Sequence, residues 1–228
     1  MGVLAFMQNS KNKAFISARK RIVRLMQQQK LVVRRKRHTA RKTDSDHSFP
    51  VAPNILKRDF TAEVPNQKWM TDMTFIAASE GWLYLAGVLD AYLRKLVGWA
   101  MGKEHDARLV RQALQMALFQ RELGAGLVHH SDRGSEYASK SYQDMLHQRG
   151  IQVSMSRKGD CYDNAMIESF WGTLKDEGIG QTIYQTREEA KTAVFDSIEV
   201  FYNRKRKHSA LGYLSPVAYE KQEKEKST

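Results

Sequence analysis

Two segments, LVHHSDRGSEY at residues 127–137 and DNAMIESFWGTLK at residues 163–175, decide the interpretation of this chain of 228 residues. The first is a short apolar run that ends at Asp132, and the second has a helical pattern that carries Glu168. Between these two acids lie 35 residues. Open α/β sheets place their sites just beyond the ends of strands, so Asp132 is a candidate site residue.

A third carboxylate, Asp72, lies in the middle of WMTDMTFI at residues 69–76, a segment typical of a strand. Aspartate is disfavoured in the interior of a strand, so Asp72 is a better candidate for a ligand than for an ordinary strand-edge or turn residue. Three acids from two strands and a helix suit two divalent cations that take oxygen ligands and keep positions for water and phosphate. The three acids therefore predict a metal site for phosphodiester chemistry.

The charge of the chain is high and unevenly distributed. Its 37 Lys and Arg residues against 25 Asp and Glu residues give a formal net charge of +12. Residues 1–43 hold 13 of the basic residues and no acid, so the remainder is nearly neutral. A basic arm ahead of a neutral globule indicates a polyanionic partner, most simply nucleic acid. A solvated, disordered tail is the alternative.

The cysteine count and the lengths of the apolar runs indicate the cellular compartment. One cysteine, Cys161, excludes an internal disulfide and a zinc module that needs two cysteines, and it suits a reducing cytoplasm. There is no apolar run of 18 residues, so we expect no membrane span and no membrane partner. MGVLAFMQNS, at the start, is too short and wrongly flanked for a secretory signal.

Periodicity predicts the order of the secondary-structure elements. Five segments have the composition of strands: residues 69–76, 81–92, 94–101, 127–131 and 152–156. Three core segments have helical periodicity: residues 106–122, 139–150 and 163–177. A further helix starts at Thr186, with Glu189 completing a capping box. The order predicts an α/β fold, in which a five-stranded mixed sheet is covered by helices on both faces.

The helix that carries Glu168 has a second stripe beside its core-facing stripe. Asn164, Glu168, Trp171 and Lys175 follow one another along it by steps of three and four residues. A carboxylate on this stripe can reach across the top of the sheet instead of pointing to water.

The motifs resemble those of the catalytic subunit of IS3-family insertion-sequence transposases, which are relatives of retroviral integrases. The resemblance covers about residues 50–220. Five blocks carry it, in this order: NQKWMTDMTF, GVLDAYLRKLVGWAM, HHSDRGSEY, SMSRKGDCYDNAMIESFWGTLK and FYNRKRKHSALGYLSP. It implies a ribonuclease-H-like fold in which Asp72, Asp132 and Glu168 are the catalytic and metal-binding triad for two Mg²⁺ or Mn²⁺ ions.

The resemblance also implies the reaction and the partners. A metal-activated water would cut at an element end, and the freed 3′-OH would attack target DNA without a covalent protein intermediate. We expect DNA partners (the terminal inverted repeats and the target), a homo-oligomer on DNA, and an upstream subunit with a helix-turn-helix and a zipper. The expected location is the bacterial cytoplasm, in association with the nucleoid.

Six further residues are candidates for contacting DNA. They are Arg157, Lys158, Asn164, Lys175, Arg204 and Arg206. For the charged residues the alternative is a solvated surface position. For Asn164 the alternative is a helix cap.

We expect four regions. They are a basic, partly helical DNA-binding segment at 1–37, a linker at 38–62, the integrase-type catalytic core at 63–180, and a C-terminal helix with a basic tail packed on the core at 181–228. The chain departs from the family in its shortened N-terminal module and in Glu136, which stands where the family often has Gln. Two other functions stay open: an RNase H-like nuclease that cuts without joining, and an inert DNA-binding remnant of a truncated transposase.

Overall fold

A computed structural model describes residues 19–29, 47–180 and 182–227. Five strands form one sheet in the order β3-β2-β1-β4-β5. Their bounds are β1 Lys68–Ile76, β2 Leu83–Asp90, β3 Leu96–Gly102, β4 Val128–Ser131 and β5 Gln152–Met155. The predicted five-stranded sheet is therefore confirmed.

Seven α-helices lie within the described residues. Their bounds are α1 Arg19–Gln28, α2 Ala107–Gln120, α3 Ser135–Ala138, α4 Lys140–Gln148, α5 Ala165–Leu174, α6 Arg187–Phe195 and α7 Pro216–Ser227. A 3-10 turn precedes α5, and stretches of π-helix continue α5 and α6 as far as Ile179 and Tyr202. None of the helices in the described part of the chain is long and apolar enough to cross a bilayer.

The sheet is mixed, as the sequence predicts. Strands β1, β2 and β3 pair antiparallel in a meander, whereas β4 pairs parallel with both β1 and β5. Parallel neighbours need a crossover connection, and α2 supplies it between β3 and β4. This arrangement brings β4 next to β1, the strand that carries Asp72.

Alternation along β1 creates two apolar cores. Met70 and Ile76 face one core, to which α5 and α6 contribute. Trp69 and Met73 face the other core, to which α2 and α4 contribute. Successive strand residues point to opposite faces, so a single central strand organises both layers.

Helix α2 lies directly against β3 because Gly98 has no side chain. A Cβ atom at Gly98 would lie 2.3 Å from the carbonyl oxygen of Ala113 and 2.6 Å from the backbone nitrogen of Ala117. Contacts this short with backbone atoms cannot be relieved by moving a side chain. The glycine therefore sets the distance between this helix and the sheet.

The second half of the expected linker is packed on the core. Leu56 is buried, and the backbone N–H groups of Ile55 and Leu56 both donate to the hydroxyl of Ser154. The amide of Asn54 donates to Asp163 across 109 residues of sequence. The packed region thus begins before residue 63. Of the predicted N-terminal segment, only α1 belongs to the described residues.

The C-terminal region packs on the β3 side of the sheet. The side chain of Asn203 forms two hydrogen bonds with the backbone of Leu96, and Glu220 of α7 forms ion pairs with Lys95 and Arg121. Half of the predicted capping box of α6 is present, since the Thr186 hydroxyl accepts from the backbone N–H of Glu189. The Glu189 carboxylate accepts from the N–H of Gln185, one residue before the N-cap.

Candidate active site

The pairing of β1 with β4 ends just before two of the three predicted carboxylates. Strands β1 and β4 pair from Lys68↔Val128 to Met70↔His130. Asp72 and Asp132, 60 positions apart in the sequence, each lie two residues beyond this last pair. If the parallel register continued, Asp132 would lie opposite Asp72, and neighbouring strands lie about 4.8 Å apart.

Each of these acids is held by a local contact. The Asp132 carboxylate accepts from the backbone N–H of Gly134 at 2.9 Å, which folds the chain back at the end of β4. Asp72 is only 9% exposed, and its Oδ2 accepts from the indole N–H of Trp171 at 3.1 Å. A carboxylate that accepts a hydrogen bond has fewer side-chain orientations open to it, and Trp171 thus restricts Asp72.

The indole of Trp171 reaches Asp72 because of a glycine on β2. Gly87 pairs with Asp72 in the β1–β2 register. A Cβ atom at Gly87 would lie 2.7 Å from Cη2 of the Trp171 ring and 3.0 Å from Leu96 Cδ1. The missing side chain leaves the space in which the indole lies.

The predicted stripe on α5 follows strand β1. The amide of Asn164 donates to the carbonyl of Thr71 at 3.2 Å, and Trp171 donates to Asp72. The ammonium of Lys175 lies 5.0 Å from the centroid of the Phe75 ring.

Glu168 lies on this same stripe, one turn after Asn164 and just under one turn before Trp171. Its side chain is exposed. The contacts of its stripe neighbours place it on the side of α5 nearest to Asp72. The third predicted ligand thus lies on the helix face that follows β1, and it is exposed, whereas its stripe neighbours Asn164 and Trp171 are buried.

The three acids do not form a closed cluster. Across the part of the chain that is described, no three His, Cys, Asp or Glu side chains come close enough together to hold a metal ion. Their chemistry nevertheless fits a hard divalent cation, since all three offer carboxylate oxygens. Three like charges also repel one another, and a divalent cation offsets that repulsion.

A buried tyrosine lies within electrostatic reach of both strand acids. Burial, followed by the negative charge of Asp72 and a smaller effect of Asp132, raises the pKa of Tyr137 well above its usual value. Tyr137 is therefore a neutral phenol at physiological pH, on the α3 side of the two carboxylates.

The two histidines just before Asp132 belong to the core. Both are buried: His129 pairs with the hydroxyl of Tyr142, and His130 pairs with Ser154 and Ser156. Burial lowers the pKa of His129 to about 3 and that of His130 to about 4. Both imidazoles are therefore neutral at pH 7.

Several of the predicted DNA-binding residues contact other parts of the chain. The guanidinium of Arg157 pairs with Asp163, and that of Arg206 pairs with Glu177 at 2.7 Å. Asn164 is 4% exposed and begins α5, but it makes no side-chain cap hydrogen bond. Its amide supports strand β1 instead.

The other three candidates differ in their exposure. Lys158 and Arg204 are exposed, and Lys175 is half-buried against Phe75. All six assignments to DNA remain predictions.

Asp163 holds the loop before α5 in place. It is buried and accepts hydrogen bonds from Arg157 in the same loop and from Asn54 and Arg58 in a distant segment. The hydrogen bond from Arg157 is the largest cause of its pKa lying below the usual range. This ionised carboxylate fixes where α5, and with it Glu168, begins.

One residue close to the site was missed in the sequence. His105, in the loop after β3, forms an ion pair with Glu136, with 2.7 Å between Nδ1 and Oε1. A single histidine in a loop belongs to no motif. The signal that could have led to it was Glu136 itself, an additional acid four residues after Asp132.

Comparison with known proteins agrees with this fold. Two family models described as integrase core domain match residues 62–161 and 149–216. The solved HTLV-2 integrase catalytic core domain in complex with magnesium superposes with a TM-score of 0.52 at 14% identity, covering 70% of this chain and 99% of that one. A chain of the simian T-cell lymphotropic virus intasome superposes with a TM-score of 0.55 at 14% identity, over 89% of this chain and 66% of that one. The fold is therefore the ribonuclease-H-like fold of integrase catalytic cores.

Relatives at higher identity narrow this class to a family. An insertion element IS600 protein of 31 kDa from Shigella sonnei is 47% identical over 90% of this chain and 75% of its own length. A transposase InsF for insertion sequence IS3fB from Escherichia coli is 46% identical over 77% of this chain and 61% of its own length. The chain belongs to the IS3-family insertion-sequence transposases. It spans about three fifths of the InsF transposase that it matches.

Proposed function

We propose that this chain is the catalytic subunit of a DNA transposase, which cleaves element ends and joins their 3′-OH to target DNA by metal-dependent transesterification. The observation that carries the proposal is the parallel pairing of β1 with β4 up to Met70↔His130, two residues before Asp72 and Asp132, with the Glu168 stripe of α5 along strand β1. The relatives named as transposases support it.

Asp72, Asp132 and Glu168 are the residues that would hold two Mg²⁺ or Mn²⁺ ions. When bound, such ions activate the attacking oxygen and stabilise the leaving oxygen of a phosphodiester. The magnesium in the HTLV-2 integrase core supports this assignment. Trp171 limits the orientations of Asp72, and the N–H of Gly134 does the same for Asp132.

DNA is the proposed substrate and partner, as element ends and as target. The 13 basic residues within 1–43 supply a charge that suits the phosphate backbone, and Lys158, Lys175 and Arg204 supply further cations on the core. Arg157 and Arg206 would contact DNA with guanidinium N–H groups beyond those used in their ion pairs.

Joining two element ends needs two active sites, so we propose a homo-oligomer on DNA in the bacterial nucleoid. A separate upstream subunit with a helix-turn-helix would assist it. Within the chain, we assign the DNA-binding segment to 1–37, the catalytic core to 63–180 and its C-terminal support to 181–228.

A strand-transfer assay tests the proposal. The purified native chain and the Asp132→Asn variant would each be incubated with Mn²⁺ and labelled duplexes ending in the inverted repeats that flank its gene. Asp144→Asn is a matched control, since Asp144 forms a surface ion pair with Lys140 on α4. We expect joined product from the native chain and the control, and DNA binding without product from Asp132→Asn.

The other outcomes separate the alternatives. Cut DNA that is never joined would identify an RNase H-like nuclease. If the native chain binds DNA but forms joined product only after the upstream subunit is added, the chain is an incomplete catalytic half. Binding without product even then would identify an inert remnant. Normal joining by Asp132→Asn would refute the site.

A further inference from the structure

The ion pair between His105 and Glu136 is a charged group beside the site that the proposed reaction does not use. Glu136 lies in α3, four residues beyond Asp132, and its side chain is 9% exposed. His105 lies between β3 and α2, and its side chain is 31% exposed. The ring of His105 packs edge-on against Tyr84, with 5.3 Å between the ring centroids. The Glu136 carboxylate is thus buried, and the His105 imidazole is partly exposed to solvent.

The geometry fixes which nitrogen of His105 is available. Nδ1 lies 2.7 Å from Glu136 Oε1, so this nitrogen carries the proton donated to the carboxylate. Nε2 is left as the nitrogen that can meet a ligand, on a ring whose orientation is held by Glu136 and Tyr84. A buried carboxylate is costly unless it is paired, and the pair therefore favours the imidazolium form.

Two carboxylates raise the pKa of His105. The hydrogen bond that His105 donates to Glu136 is the largest cause; burial opposes it, and the charge of Asp132 adds a smaller increase. Tyr84 contributes a neutral ring from β2. The other charged residues near it in sequence are Lys103, Glu104, Asp106 and Arg108.

We propose that His105 is a further DNA-binding residue of the site, whose imidazolium, oriented by Glu136, donates Nε2–H to a phosphate oxygen of the strand bound next to Asp132. The inference rests on the proposed function. It gives a physical reason for Glu136, which stands where the family often has Gln. The additional negative charge would repel DNA if it stood alone, and instead it holds a cation at the DNA surface.

The test is DNA binding without metal, so that catalysis does not enter. A fluorescein-labelled duplex with the element end would be titrated in EDTA, by anisotropy, with the native chain, His105→Gln, Glu136→Gln and His147→Gln. His147 is an exposed histidine at the end of α4 and serves as the matched control. Thermal unfolding of each variant confirms that it is folded.

We expect His105→Gln to weaken binding about tenfold near pH 6.5 and to lower the slope of log K against log salt by about 1, as for one lost phosphate contact. The affinity of the native chain should fall as the pH rises through the raised pKa of His105. In Glu136→Gln this fall should move to lower pH, because the carboxylate that favours the imidazolium is gone. The His105 ring signal in NMR should titrate with the same midpoint.

Equal affinity, equal salt slope and equal pH dependence in His105→Gln and His147→Gln would overturn the proposal and leave the pair as a structural tether between α3 and the loop after β3. An unchanged midpoint in Glu136→Gln would overturn the role given to Glu136. Failure of the proposed function would show separately, as native protein that binds the duplex but forms no product with Mn²⁺.

Discussion

Replacing Trp171 by Phe tests whether the orientation of Asp72 governs metal binding. Phe keeps an aromatic ring beside Phe170 and in the space left by Gly87, but it removes the N–H that donates to Asp72 Oδ2 at 3.1 Å. A hydrogen bond to a charged acceptor contributes about 1.5–3 kcal/mol. Loss of a group that orients a metal ligand lowers metal affinity or activity about 10- to 100-fold.

We therefore expect the dissociation constant for Mn²⁺ to rise at least about tenfold in Trp171→Phe, the lower end of that range. Mn²⁺ binding would be measured by electron paramagnetic resonance, with strand transfer followed over the same range of Mn²⁺ concentration. Higher Mn²⁺ should recover much of the lost rate, because the substitution leaves all three carboxylates in place. A merely structural role for the indole would not give this recovery.

Trp99→Phe is the matched control. Its indole N–H donates to Glu199 at 2.9 Å, a contact between β3 and the π-helical stretch after α6. This control loses the same chemical group from a partly buried tryptophan, but at a contact that involves none of the three predicted ligands. If Trp171→Phe binds Mn²⁺ as tightly as Trp99→Phe does, the role assigned to the indole is wrong.

Two other substitutions test what holds the site in place. Gly98→Ala sets a Cβ atom 2.3 Å from the Ala113 carbonyl and should cost about 3 kcal/mol or more of unfolding free energy in urea, whereas Gly124→Ala, with open space around it, should change it by less than about 0.5 kcal/mol. Asp163→Asn should lower the free energy of unfolding at pH 7, because it removes the buried negative charge that accepts from the exposed guanidinium groups of Arg58 and Arg157. Since the pKa of Asp163 is lowered by folding, the native chain gains this stability above the unfolded value near 4 and loses it as the pH falls through the folded pKa. The difference between the native chain and Asp163→Asn in a urea series should therefore shrink in acid.

Most of the sheet could be predicted from local patterns. The apolar alternation of β1 and the helical period of α2 both depend on residues close together in sequence, so the elements were found with nearly correct bounds. The stripe from Asn164 to Lys175 was also predicted by helical spacing alone, and contacts with Thr71, Asp72 and Phe75 now support it.

Side-chain partners were harder to predict, because the residues that meet are far apart in the chain. Arg206 pairs with Glu177, 29 residues away, and the segment around Asn54 packs on a loop 109 residues away. A basic residue in a basic segment gives no sign of such a partner. The charge pattern therefore predicted surface cations where some of the guanidinium groups are already in ion pairs.

The sequence by itself determined the class of fold and the family, and it singled out the three acids as a predicted site, since strand alternation, helical period and motif spacing are properties of local order along the chain. Only the tertiary structure decided that β4 pairs with β1 just before Asp132 and Asp72, that a missing side chain at Gly87 admits the indole of Trp171, and that Glu136 is paired with His105. These depend on sheet register and on close packing between distant segments, which are set when the chain folds and not by the order of residues in any one segment.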